Sequence, residues 1–80
     1  MSVFIENAIL EMRVISGTTS ATIGTETSHA HGGTRGVPKM YLIKTKKSGN
    51  VYESKAADAT YIYLKGSAAS ITFDAIILWW

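Results

Sequence analysis

The chain contains no cysteine. That excludes a disulfide scaffold, a thiolate zinc site and a cysteine nucleophile. Charge is sparse and nearly balanced: 18% of residues are charged, and eight cations against six anions leave +2. The pI of 9.0 therefore rests on two excess cations, and nucleic-acid binding does not follow from it. No apolar run approaches the roughly 18 residues needed to span a bilayer. No basic, apolar, small-residue signal opens the sequence, so no membrane partner is expected. What is present is 46% hydrophobic residues in 80, the composition of a folded domain rather than of a disordered tail or a charged coiled coil. Residues 1–80 are read as one domain. A chain this short buries only about 60–65% of its unfolded surface, which makes its own core marginal. Small domains are otherwise reinforced by disulfides, a metal or oligomerisation, and oligomerisation is the route left open here.

Turn signals recur along the whole chain, at Ser16-Gly17, Gly24, Gly32-Gly33, Gly36 to Pro38, Ser48-Gly49-Asn50 and Gly66-Ser67. Their spacing is that of an all-β domain. The expectation is a small antiparallel β-sandwich, jelly-roll-like, with about six or seven strands. Residues 39–45 and 51–55 are expected to pair as a hairpin across Ser48-Gly49-Asn50. Residues 60–64, Thr-Tyr-Ile-Tyr-Leu, read as a strand dense in β-branched and aromatic residues. Residues 18–24 read as a polar strand with Ala21 and Ile23 inward. Near the N-terminus, Ala8, Leu10, Met12 and Val14 alternate, which favours a strand over 8–16. Phe4, Ile5, Ala8, Ile9, Met12 and Ile15 also follow helical spacing with Ser2 as a cap, which admits a short N-terminal helical turn.

The strand signal is clearest over residues 71–80, and it is apolar on both sides. Ile71, Phe73, Ala75, Ile77 and Trp79 form one face; Ile76, Leu78 and Trp80 form much of the other. Burying a large apolar side chain is worth about 1.5–3 kcal/mol, so leaving several in water is costly. One face is expected in the subunit's own core and the other against a neighbouring subunit, with Phe73, Ile76, Leu78, Trp79 and Trp80 forming the interface. The competing arrangement is a central strand whose second face is covered by the N-terminal segment.

Residues able to carry chemistry are few. His29 and His31 are spaced so that, on a strand, both imidazoles point the same way. Three copies would then offer six nitrogens, a set suited to iron or another transition metal. In the plainer reading the two histidines sit in a polar loop or make structural hydrogen bonds. Ser28 beside His29 does not make a nucleophile–base pair, and the carboxylates lack a paired spacing. The glycines do not follow the phosphate-loop pattern. No enzyme activity is expected. Lys39, Lys44, Lys46, Lys47 and Lys55 cluster near Tyr41 and Tyr52, but lysines more often keep a sheet edge soluble than bind nucleic acid. Tyr41 and Tyr52 are candidate contacts for a sugar or receptor, each offering an apolar ring and a polar tip. Gly32 and Gly36 permit positive φ, and Pro38 holds an extended entry to the strand after it. His31, Gly32, Gly36 and Pro38 are thus the expected makers of a structural loop, with His31 tying it to a neighbouring carbonyl.

The run Ser28-His29-Ala30-His31-Gly32-Gly33-Thr34-Arg35-Gly36-Val37-Pro38, leading into Met40-Tyr41-Leu42-Ile43, resembles the His-Gly, short loop, Pro, apolar-strand pattern of small β-sandwich modules in tailed-phage virion proteins. The Thr/Ser/Gly-rich residues 18–27 and the closing segments 60–66 and 71–79 are similar to the strands flanking that pattern. The second glycine and Arg35 depart from it, standing where an apolar residue is common. The resemblance implies a non-enzymatic structural component of a phage fibre, tail or head surface, located in the virion beside other virion proteins. It also implies a homo-oligomer, a trimer first and a pentamer or hexamer otherwise. Two alternatives accompany it: a carbohydrate- or host-receptor-binding module, and a trimeric tip holding a metal at His29 and His31.

Overall fold

Six strands form within residues 9–80, the part of the chain this computed structural model describes. They are β1 Glu11–Thr18, β2 Thr27–Ala30, β3 Met40–Thr45, β4 Val51–Lys55, β5 Tyr61–Gly66 and β6 Thr72–Trp79. All pairings are antiparallel. They make two three-stranded sheets, ordered β1-β6-β3 and β2-β5-β4, and the described residues contain no helix. The protein is a small antiparallel β-sandwich.

The two most apolar strands take the central positions. From β6, Phe73, Ala75, Ile77 and Trp79 point between the sheets; from β5, Ile62 and Leu64 meet them, and all are buried. Ile15, Tyr41, Ile43 and Val51 close the sides of this core. At about 1.5–3 kcal/mol for each large apolar side chain, this inner layer supplies the main driving force for folding. Gly17 on β1 faces it too. A side chain there would collide with the Phe73 and His29 rings, which lie 2.9 and 2.8 Å from an ideal Cβ. The missing side chain lets the His29 ring stand edge-on to Phe73 with centroids 5.0 Å apart.

Several expectations are corrected. Residues 39–45 and 51–55 do not form a hairpin, because β3 pairs with β6 and β4 with β5 in the opposite sheet. Residues 46–50 cross from one sheet to the other. The Lys46 amide donates to Thr72, and the Asn50 amide donates to the Ser67 hydroxyl. The physical reason is burial: beside β6, Tyr41 and Ile43 lie over the core, a gain that a two-stranded hairpin cannot match. Residues 18–24 are not a separate strand. Thr18 ends β1, the chain then loops, and Ile23 lies exposed. The strand forms further on, at Thr27–Ala30, where it places His29 against Phe73. The first strand spans Glu11–Thr18 rather than 8–16, and Met12 and Ile15 belong to it rather than to a helix. The rest of the helical-turn expectation falls largely on residues 1–8, outside the described residues. Of the expected interface set, Phe73 is fully buried and Trp79 is 2% exposed, so both belong to the subunit's own core.

Candidate functional site

Two features stand out once the strands are placed: a buried lock around His31 and Trp79, and an apolar outer face on the β1-β6-β3 sheet.

The lock begins where β2 ends. His31 continues the alternation of His29, so both rings turn inward. The His31 Nε2 lies 3.0 Å from the Asp58 carbonyl oxygen. That oxygen can only accept, so Nε2 carries the proton and Nδ1 accepts the Gly33 amide at 3.1 Å. The ring stands edge-on to Trp79 at 5.2 Å, and the Trp79 Nε1–H donates to the Gly36 carbonyl at 2.9 Å. Gly33 lies directly on the indole: an ideal Cβ would sit 2.2 Å from Trp79 Cζ2. Gly32 and Gly36, at φ of 72° and 78°, turn the chain on either side of it. Farther out, the Thr34 amide and hydroxyl donate to the Glu11 carboxylate, and the amide's donation is the largest influence holding that carboxyl below its usual range.

Asp58 completes the lock from the segment between β4 and β5, in the same sheet as β2. Its Oδ1 accepts the amides of Thr60 and Tyr61, and its Oδ2 accepts the Tyr63 hydroxyl. The Tyr63 hydroxyl first, then the two amides, hold the Asp58 carboxyl down at about 2, and the same bond pushes Tyr63 up to about 12. Among the described residues no buried side-chain polar atom lacks a hydrogen-bond partner.

These bonds occupy the groups that the sequence singled out for chemistry. His31 uses both ring nitrogens on main-chain groups. His29 pairs its Nε2 with the Thr27 hydroxyl at 2.7 Å and packs on Phe73. For His31 to ligate a metal through Nδ1 it would have to release Gly33. No group of three or more His, Asp or Glu side chains gathers among the described residues. Tyr41 and Tyr52 do come together, lining an open cleft of about 670 Å³ between β3 and β4 along with Val37, Pro38, Met40 and Glu53. The Tyr41 hydroxyl donates to Glu53 at 2.6 Å across that cleft. Burial, and then Glu53, push the Tyr41 hydroxyl's pKa upward.

The lock makes stability pH-dependent. Burial holds His29 below its ordinary 6.5, so the unfolded chain binds a proton more readily and stability declines as pH falls below 6.5. Asp58, ordinarily near 3.8 and held near 2, contributes stability that is fully present above 3.8 and is lost as pH falls toward 2. Urea midpoints measured from pH 7 downward are expected to fall in two stages. His29→Gln should remove the first stage, and Asp58→Asn should shrink the second, to which Glu11 and Asp74, also held below their usual range, contribute. A midpoint that stays flat between pH 7 and 5 contradicts the placement of His29.

The outer face is built by register. Met12, Leu78 and Met40 lie side by side, then Val14, Ile76 and Leu42, then Ser16, Asp74 and Lys44. At the other end the Leu10 amide donates to the Trp79 carbonyl, and Trp80 follows β6 in phase with Ile76 and Leu78. Leu10, Met12, Val14, Met40, Leu42, Ile76 and Trp80 are between 38% and 62% exposed. Leu78, at their centre, is shielded to 8%. In the polar row Asp74 accepts the Ser16 hydroxyl at 2.6 Å and pairs with Lys46 at 3.1 Å, which hold its carboxyl below the usual range. Of the expected interface, Ile76, Leu78 and Trp80 lie here. Five further members of the face, Leu10, Met12, Val14, Met40 and Leu42, were not assigned to an interface from the sequence. Their signal was the even-numbered alternation in β1 and β3, which acquires meaning only when both strands flank β6.

No protein-family model, curated protein or solved structure matches this chain.

Proposed function

We propose that the protein is a non-enzymatic structural subunit of a tailed-phage particle, a fibre, tail or head-surface component, which assembles through the outer face of the β1-β6-β3 sheet. The observation that carries this reading is that face: seven half-exposed apolar side chains on three adjacent strands and the residues flanking them, more than scattered surface hydrophobics account for. The engagement of His31, Asp58 and Glu11 in internal bonds supports a scaffold role. The phage assignment is supported by the resemblance of residues 28–43 to virion modules. Quantitative mass spectrometry of phage particles assembled with the chain present tests it. The wild type should co-purify in regular copy number, and a Val14→Lys/Leu42→Lys variant should not. Particles free of the wild-type chain overturn the assignment.

The cleft favours a second reading, a glycan- or receptor-binding module, since it brings Tyr41 and Tyr52 together. Glycan-array binding that Tyr52→Ala abolishes would establish that reading instead.

A further inference from the structure

We infer that the partner on the outer face is a second copy of this chain, packed sheet to sheet about a two-fold axis with the strands of the two copies antiparallel. The inference rests on the assembly reading above and adds the partner and the geometry.

Area is the first argument. The face presents seven apolar residues at 38–62% exposure; at roughly 200 Å² for each large side chain when fully exposed, that is on the order of 700 Å², above the roughly 300–600 Å² of the largest patch on a typical monomer and close to the roughly 800 Å² per partner of a standard interface. A flat patch that pairs with itself meets its copy about a two-fold axis. Three-fold assembly requires two different complementary patches.

Charge selects the orientation. The face grades from apolar at the Leu10 and Trp80 end to polar at the Ser16–Asp74–Lys44 row. With the axis along the strands, equal rows would meet and Asp74 would oppose the partner's Asp74. With the axis across the strands, through the Met12–Leu78–Met40 row, Leu10 and Trp80 instead cover the partner's Val14, Ile76 and Leu42. Each polar row then falls outside the contact as a solvated rim, with Asp74 already neutralised by Lys46. No unpaired charge is buried. Leu78, the most shielded residue of the face, lies on the axis.

The absence of cysteine makes the test clean, since one introduced thiol is the only one in the chain. Packed sheets lie about 10 Å apart, so a bis-maleimide of about 15 Å can bridge residues that face each other. Met12→Cys lies on the axis row and should cross-link to its copy as a dimer of twice 8.7 kDa. Thr18→Cys, at the far end of β1 on the same face, should not, because antiparallel packing carries the two copies of residue 18 apart. Cross-linking at both positions overturns the antiparallel geometry. A dimer that cross-links at neither position overturns the choice of face. A monomeric or trimeric mass overturns the two-fold pairing. Each of these failures leaves the particle-incorporation test, and with it the structural assignment, to stand or fall separately.

Discussion

Gly33→Ala is expected to destabilise the protein by about 3 kcal/mol, the upper end of the usual cost of overpacking. The new Cβ would fall 2.2, 2.3 and 2.9 Å from Cζ2, Cη2 and Cε2 of Trp79, all within the indole. The indole has nowhere to retreat. Its Nε1–H is held by the Gly36 carbonyl, His31 stands against it, and it is 2% exposed in the core. Accommodating the methyl means breaking the Gly36 bond or lifting the 31–38 loop away from β6. A domain of this size has a total stability of only about 4–12 kcal/mol, so the melting temperature should drop by about 10–20 °C. Gly24→Ala serves as the comparison, because a Cβ there meets nothing within 4 Å and only its positive φ of 78° opposes it. Equal melting temperatures for the two variants would contradict the close packing of Gly33 on Trp79.

His31→Phe should cost about 2–4 kcal/mol even though the ring volume is nearly kept. The phenyl ring can still stand against Trp79, but it offers nothing to the Asp58 carbonyl or the Gly33 amide. A polar group fully buried without its partner costs about 1–3 kcal/mol, and here two part-buried groups, the Asp58 carbonyl and the Gly33 amide, are orphaned at once. His29→Phe isolates the contrast. Its ring loses one bond, to the Thr27 hydroxyl, and that hydroxyl remains within 3.4 Å of the Leu64 carbonyl. We expect less than about 1 kcal/mol there. Comparing the urea midpoints of the two variants separates a structural His31 from a pair acting jointly. Equal, small losses would return the two histidines to the same footing and weaken the account of the lock.

Much of the fold was legible because period-two alternation and turn residues are local signals. The strand over 71–80 announced both its position and its two faces, and six strands fall within the expected number. Pairing was not legible. The Ser48-Gly49-Asn50 turn looked like a hairpin because turn chemistry is read locally. The choice of β6 as the partner of β3 depends instead on burying Tyr41 and Ile43 against residues 30 or more positions away. The same gap hid most of the outer face. Met12 and Met40 look unrelated in sequence until both flank Leu78. The first sheet's inner layer held a further surprise, since β1 gives it Ile15 and Gly17, with the exposed Arg13 in the same phase, and turns its apolar even-numbered residues outward. For the 31–38 loop, the sequence indicated the need for glycines. The role of Gly33 was less readable, because it comes from an indole 46 positions later.

The central claim is that the outer face of the β1-β6-β3 sheet is where copies of this chain meet. Mass in solution as a function of concentration tests it most directly, on the wild type and on Val14→Lys/Leu42→Lys. Both substituted positions are exposed and lie outside the core, so the variant should keep its far-ultraviolet circular dichroism. The account predicts a wild-type mass that rises to a multiple of 8.7 kDa and a variant that stays at 8.7 kDa throughout. A wild type that remains at 8.7 kDa at every concentration, with the same spectrum as the variant, would contradict it.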